Sequence, residues 1–242
     1  MQTGTEHRLI LTKAAQGAMR PGMTQPRLIL FDCDGTLVDT AATIVESFTQ
    51  GFLDAGVAAP PPEEILSIVG LSLPIATATL CAPRDIDTHV VLESYRKAYA
   101  TIATGRIDPL FPGTLDALDA IETPATLMGI VTGKSRRGLV RILSQHSLSD
   151  RFITTQTADD AASKPAPDMV HHALSATGAD ASRTVVIGDT SFDIEMALAA
   201  GAHAIAVTWG NHPEERLMDA GAHALAHTMD ELPALIDRLT PQ

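Results

Sequence analysis

The sequence predicts a doubly wound α/β fold: a Rossmann-like parallel sheet with a small α-helical domain inserted after its first strand. Three observations carry that expectation. Four short apolar runs, at 27–31, 126–131, 184–187 and 204–207, lack the polar alternation of half-exposed strands. Such runs mark strands buried on both faces of a parallel sheet. Helix-like segments near 135–146, 166–177 and 191–200 follow or separate them, and strand–helix alternation is the pattern of a doubly wound sheet. Finally, residues 40–108 break the rhythm, parting the first strand from the second by far more chain than one crossover needs.

Each element has a local reason. The first run, Arg27-Leu28-Ile29-Leu30-Phe31, stops abruptly at a carboxylate and is too short for a helix. In the interrupting region Ile44, Phe48, Phe52 and Leu53 recur at helical spacing, as do Val91, Leu92, Tyr95 and Tyr99. Three prolines at 60–62 and the pair Asp108-Pro109 punctuate it. The expected division is a mobile extension over 1–26, an α/β core over 27–39 and 109–242, and a helical cap over 40–108. Ser191 is placed to cap the helix after the third run, and Gly201 to end it. Beyond 209 the pattern reads as a helix near 213–220, a short strand at 223–226 and a last helix from about 229. The first 22 residues hold no apolar run longer than Leu9-Ile10-Leu11, too short for a signal core. They read as an extension, with Met23 as an alternative start.

Bulk properties narrow the function. The 242 residues carry a net charge of −12, with 45% hydrophobic and 19% charged residues, an ordinary globular mixture. So acidic a surface repels nucleic acid and anionic membranes, so neither is expected as a partner. No apolar run approaches a membrane span. Two cysteines, Cys33 and Cys81, make no disulfide framework, and a reducing cytoplasm is the expected setting. The sequence carries no signal for oligomeric state.

The chemistry lies where polar groups end apolar runs. Asp32 follows Phe31, Thr132-Gly133 follows Val131, and Asp189 follows Gly188. In a parallel sheet these points share the carboxyl edge, where open α/β folds bind ligands. Lys164-Pro165 precedes a helix and can reach the same edge. Taken singly, each feature is ordinary: an Asp at a strand end is usually a turn residue or a cap. Together, Asp32, Asp34, Asp189 and Asp193 would gather four carboxylates, which repel one another unless a cation neutralises them. Oxygen ligands with no histidine or cysteine cluster suit Mg²⁺. That metal and Lys164 would supply the local positive charge a −12 protein needs to hold a phosphate. Asp32 and Asp34, two apart, project to one side of an extended chain, so one can attack while the other handles protons. Gly35 permits a tight turn there, and Gly133 a close backbone approach.

These pieces resemble the motifs of the haloacid dehalogenase superfamily, in order. The stretch Asp32-Cys33-Asp34-Gly35-Thr36-Leu37-Val38-Asp39 is the specific one. Thr132-Gly133-Lys134, then Lys164-Pro165, then Gly188-Asp189-Thr190-Ser191-Phe192-Asp193 complete the set. The resemblance spans about residues 27–210 and is greatest to the phosphoglycolate phosphatase-like group, whose small helical cap matches the insertion. It implies that Asp32 attacks phosphorus, forming an aspartyl-phosphate, and that Asp34 serves as acid and then base. It implies that Thr132, Gly133 and Lys164 hold the phosphoryl group. It also implies Mg²⁺ on Asp32, on the Asp34 backbone carbonyl and on Asp189, with Asp193 nearby, and a small phosphorylated metabolite as substrate. Family members that remove halide lack the second Asp, so Asp34 points to a phosphate ester.

Alternatives remain open at this stage. A phosphosugar mutase or a pyrophosphatase keeps both Asp residues, although mutases usually carry an Arg in the cap loop that Gly70-Leu71-Ser72-Leu73-Pro74 lacks. A receiver-like signalling module also uses strand-end carboxylates, Mg²⁺ and a Lys, but at about half this length. Other features read as structural. His171, His172, His203, His212, His223 and His227 are expected at the surface or satisfied. Lys134, Arg136 and Arg137 are expected on a solvated helix face, with Lys134 pointing outward. Negative neighbours should raise the Cys33 pKa, making it a packing residue. Ser72, Arg84 and Arg96 are expected on ordinary surface of the cap.

Overall fold

The computed structural model describes residues 26–241. The expected extension, with Met23, lies outside the described residues but for residue 26. Six parallel strands form one sheet in the order β3-β2-β1-β4-β5-β6. They are β1 (Arg27–Phe31), β2 (Thr126–Val131), β3 (Thr154–Gln156), β4 (Thr184–Gly188), β5 (His203–Val207) and β6 (Ala224–Ala226). The order reverses at β1, which pairs with β2 on one side and β4 on the other.

Alternate residues of each strand enter two different cores, which is why the runs read as continuously apolar. Ile29, Phe31, Ile130, Val185 and Ile205 face α5 (Thr114–Ile121), α6 (Arg136–Gln145) and α10 (Leu232–Leu239). Leu28, Leu30, Val131, Val186 and Ala204 face α7 (Asp168–Thr177), α8 (Ser191–Ala199) and α9 (Glu214–Asp219). Both faces of β1 are sealed, and truncating a residue such as Ile29 to Ala should cost about 2–5 kcal/mol.

Between β1 and α5 lie four α-helices: α1 (Ala41–Asp54), α2 (Pro62–Leu66), α3 (Leu73–Cys81) and α4 (Thr88–Thr104). They have their own core of Ile44, Phe48 and Phe52 from α1, Ile65, Leu80, Val91 and Tyr95. The Phe48 and Tyr95 rings meet at 4.3 Å. Leu53, placed on the same apolar stripe by spacing, is 56% exposed, because the buried face repeats at 44, 48 and 52.

In the α/β core, one strand and one α-helix escaped sequence reading. Strand β3 is Thr-Thr-Gln, with no apolar signal, and is recruited at the sheet edge by pairing with β2. Helix α5 is short and follows a Gly with positive φ. One expected cap is displaced by a residue. Thr190, not Ser191, precedes α8, and its N–H and Oγ1 both donate to Asp193 Oδ2, at 3.1 and 2.6 Å. Ser191 instead begins the helix and donates its N–H to His212 Nδ1.

Candidate active site

The sheet delivers the predicted residues to one edge. Asp32 follows β1, Thr132 follows β2 and Asp189 follows β4, all three buried. Asp32 carries the structural anomaly. It is fully buried, and its Oδ2 has no hydrogen-bond donor among the described residues. A buried carboxylate oxygen normally finds a donor, so an orphan needs another partner. Lys164 Nζ stands 2.9 Å from Asp32 Oδ1 and 2.5 Å from Asp193 Oδ1, with all three side chains sealed.

Asp32, Asp189 and Asp193 offer oxygens that all lie within 4.8 Å of one another. Burial pushes the Asp32 carboxyl up to about 8, opposed by Lys164 and reinforced by Asp193, Asp189 and Asp34. Burial, then Asp193, raises Asp189 to about 7, although hydrogen bonds from Asn211 and Thr36 work the other way. Burial also works against the Lys164 charge, but Asp193 and Asp32 outweigh it and hold that amine above its ordinary range. Three buried carboxylates with one orphan oxygen and no soft ligand fit a hard divalent cation.

Asp189 is fixed by Thr36 Oγ1 on Oδ1 at 2.9 Å, and by the Asn211 N–H and side-chain amide on Oδ2 at 2.8 and 2.7 Å. Gly35, at φ +82°, leaves room for it: a Cβ there would stand 2.2 Å from Asp189 Oδ2. Neither Thr36 nor Asn211 was singled out by sequence, although Asn211 sits just past β5 on the same edge.

Asp34 stands apart from the carboxylate group of three. Its Oδ1 accepts from Thr40 Oγ1 at 2.7 Å and from Lys134 Nζ at 2.9 Å. This corrects the outward Lys134 expected from the basic cluster. Ser135 caps α6, so Lys134 precedes the helix rather than lying on its solvated face. Its side chain, 8% exposed, turns inward to the Asp34 carboxylate. Burial opposes its charge, but Asp34, Tyr99 and Cys33 together outweigh that and hold its pKa well above the ordinary value. Thr132, which accepts the Lys134 N–H on Oγ1 at 3.3 Å, lines the same cavity.

That cavity, about 810 Å³, lies between the sheet edge and the inserted helices. Asp32, Asp34, Thr132, Gly133 and Lys134 line its floor; Leu71, Ser72, Arg96 and Tyr99 line the opposite wall. Ser72 and Arg96 therefore border the cavity; Arg96 pairs with Glu93 at 2.5 Å, and Arg84 with Glu64. The helical unit touches the core directly. A Cβ on Gly133 would stand 2.5 Å from the Gly70 carbonyl oxygen and 2.6 Å from that of Leu71. Ser72 N donates to Ser163 Oγ at 2.8 Å. His212 accepts at Nδ1, so its Nε2 donates to the Ser67 carbonyl at 2.9 Å, a satisfied histidine as expected. Cys33 is buried; burial first, and Asp34 next, raises its thiol.

The geometry has known counterparts. The family model described as haloacid dehalogenase-like hydrolase matches residues 29–207. The chain belongs to that family. It is 32% identical over 222 residues to a plasmid-borne phosphoglycolate phosphatase of Cupriavidus necator, covering 88% of this chain and 95% of that one. It is 31% identical over 212 residues to the pyrophosphatase PpaX of Bacillus pumilus, covering 86% and 95%. A solved haloacid dehalogenase-like hydrolase from Streptococcus pneumoniae superposes with a TM-score of 0.77 at 28% identity, covering 88% of this chain and 99% of that one. The chain is thus a phosphatase of the phosphoglycolate phosphatase-like group. Among the described residues, no helix is long and apolar enough to cross a membrane.

Proposed function

We propose that the protein is a Mg²⁺-dependent phosphatase that hydrolyses a small phosphomonoester, phosphoglycolate or a similar metabolite, through an aspartyl-phosphate on Asp32. The observation that carries this reading is the orphan Asp32 Oδ2. It is an uncommitted carboxylate oxygen on a cavity floor, in a residue already paired to a cation. Such an oxygen is free to attack.

In the first step an Asp32 oxygen bonds to phosphorus as the ester P–O bond breaks, and the Asp34 carboxyl gives its proton to the departing alkoxide. In the second, water bonds to phosphorus, Asp34 takes a proton from that water, and the acyl-phosphate bond breaks. Inorganic phosphate leaves and the Asp32 carboxylate is restored. Lys164, with Thr132 and the backbone at Gly133, holds the phosphoryl oxygens and offsets their charge. Asp32, Asp189 and the Asp34 backbone carbonyl would hold Mg²⁺, with Asp193 beside them. The ion would supply positive charge toward the phosphoryl oxygens.

The helices of 40–108 serve as a cap over the cavity, on a core of 27–39 and 109–242. Both cysteines are buried free thiols, which supports a reducing, cytoplasmic setting. A phosphate-release screen over phosphorylated metabolites, with Mg²⁺ and with chelator, tests the reading. Phosphoglycolate, pyrophosphate, sugar phosphates and nucleotides belong in that panel. Many phosphates released per protein, lost in Asp32→Asn, is the expected result. A single stable phosphoryl group per protein would instead mark a receiver-like switch.

A further inference from the structure

We propose that Lys134, docked against Tyr99 of the inserted helices, is a positioning residue that fixes which oxygen of Asp34 serves the leaving group. The inference rests on the acid–base role given to Asp34 above. Its observations are geometric. Both side-chain donors to Asp34, Thr40 Oγ1 at 2.7 Å and Lys134 Nζ at 2.9 Å, end on the same oxygen, Oδ1. Holding Oδ1 twice leaves Oδ2 as the oxygen that can carry the proton, and it forbids the carboxylate to rotate freely.

Lys134 is itself held from the other side of the cavity. Its Nζ lies 3.4 Å from the Tyr99 hydroxyl and 5.6 Å from the centre of that ring. The same hydroxyl accepts from Arg141 Nη2 at 2.8 Å, while Arg141 Nη1 donates to the Ala103 carbonyl at 2.9 Å in the last turn of α4. Two cations next to and within α6 thus grip the end of α4, and one of them also grips Asp34. A buried ammonium is costly unless it is paired, so Lys134 stays where both partners are. The orientation of Asp34 therefore depends on α4 being seated on the core.

The test separates help to the leaving group from general damage. An alkyl phosphomonoester needs a proton on its departing oxygen, whereas p-nitrophenyl phosphate releases a stable anion without one. Lys134→Met should lower kcat on the alkyl ester about 100-fold while leaving KM within about 3-fold. On p-nitrophenyl phosphate kcat/KM, which covers only the steps through departure of the phenolate and not the later hydrolysis that Asp34 also serves, should fall less than about 3-fold. Lys134→Arg should restore part of the lost kcat. Tyr99→Phe keeps the ring stacked on Tyr95, at 5.9 Å, and removes only the hydroxyl. It should show the same selectivity at about 10-fold, and it carries the test if Lys134→Met does not fold. Equal losses of kcat/KM on both esters, the mark of a displaced cap or weakened fold, would overturn the proposal, as would an unchanged kcat/KM on the alkyl ester. Wild-type protein that hydrolyses neither ester with Mg²⁺ overturns the phosphatase reading as well; wild-type turnover with unselective variants overturns this inference alone.

Discussion

Lys164 Nζ lies 2.9 Å from Asp32 Oδ1, and both side chains are buried. The ammonium also reaches Asp193, so one cation serves two buried carboxylates. Removing one member of a buried pair strands the other in a poor solvent for charge. Lys164→Met should therefore destabilise the fold by about 3–5 kcal/mol, read by urea denaturation. It should also abolish phosphate release, since it takes away the phosphoryl cation.

Metal binding should be visible without turnover. A ligand that binds only the folded state stabilises it by about 2.7 kcal/mol at one hundred times its dissociation constant. Mg²⁺ should accordingly raise the thermal midpoint relative to chelator. Asp189→Asn, with its oxygen toward the two Asn211 donors, keeps that acceptor and nearly the same shape but removes the charge, so it should lose most of that shift. A full shift in the variant would remove Asp189 from the metal site.

Gly133 is where the helical unit presses on the core. A methyl group there meets backbone oxygens of Gly70 and Leu71, which cannot swing aside as a side-chain end can. Gly133→Ala should push the 70–71 loop away and lower kcat/KM by about 100-fold, the scale of a displacement near 1 Å. Circular dichroism should still report a folded core.

One pH dependence should arise far from the site. Burial, and then His203, lowers the pKa of His223 below its ordinary 6.5. Its Nδ1 accepts the Ala204 N–H at 3.0 Å, a bond that a proton on Nδ1 would destroy. The unfolded chain therefore binds this proton more readily than the fold does. Stability from this contact is fully present above 6.5 and is lost as pH falls through 6.5 toward the lower folded-state value. Thermal midpoints measured from pH 7.5 to 5 should fall less steeply for His223→Gln than for the wild type.

The candidate site was legible because it sits where apolar runs end. Asp32, Thr132 and Asp189 each interrupt a buried strand, so their alignment needs only a parallel sheet. Thr190 rather than Ser191 as the α8 cap is a one-residue matter of backbone geometry that spacing cannot resolve. Strand β3 was invisible for a different reason: Thr-Thr-Gln has no apolar signature and becomes a strand only through its neighbour. Thr36 and Thr40 lie inside or beside the first motif, but only the turn at Gly35 directs one to Asp189 and leaves the other for Asp34.

Sequence alone therefore determined the sheet, the helical insertion and the six polar residues at its edge, Asp32, Asp34, Thr132, Lys164, Asp189 and Asp193. Hydrophobic periodicity and strand-end position are local properties, written in consecutive residues. Tertiary structure decided the pairings of charge. It sent Lys164 to Asp32 and Asp193, kept Asp34 out of the carboxylate cluster, and turned Lys134 inward between Asp34 and Tyr99. A charged side chain on a long stem takes its direction from where a partner lies in space, and Tyr99, 35 positions before Lys134 in the chain, becomes that partner only when the inserted helices meet the sheet edge.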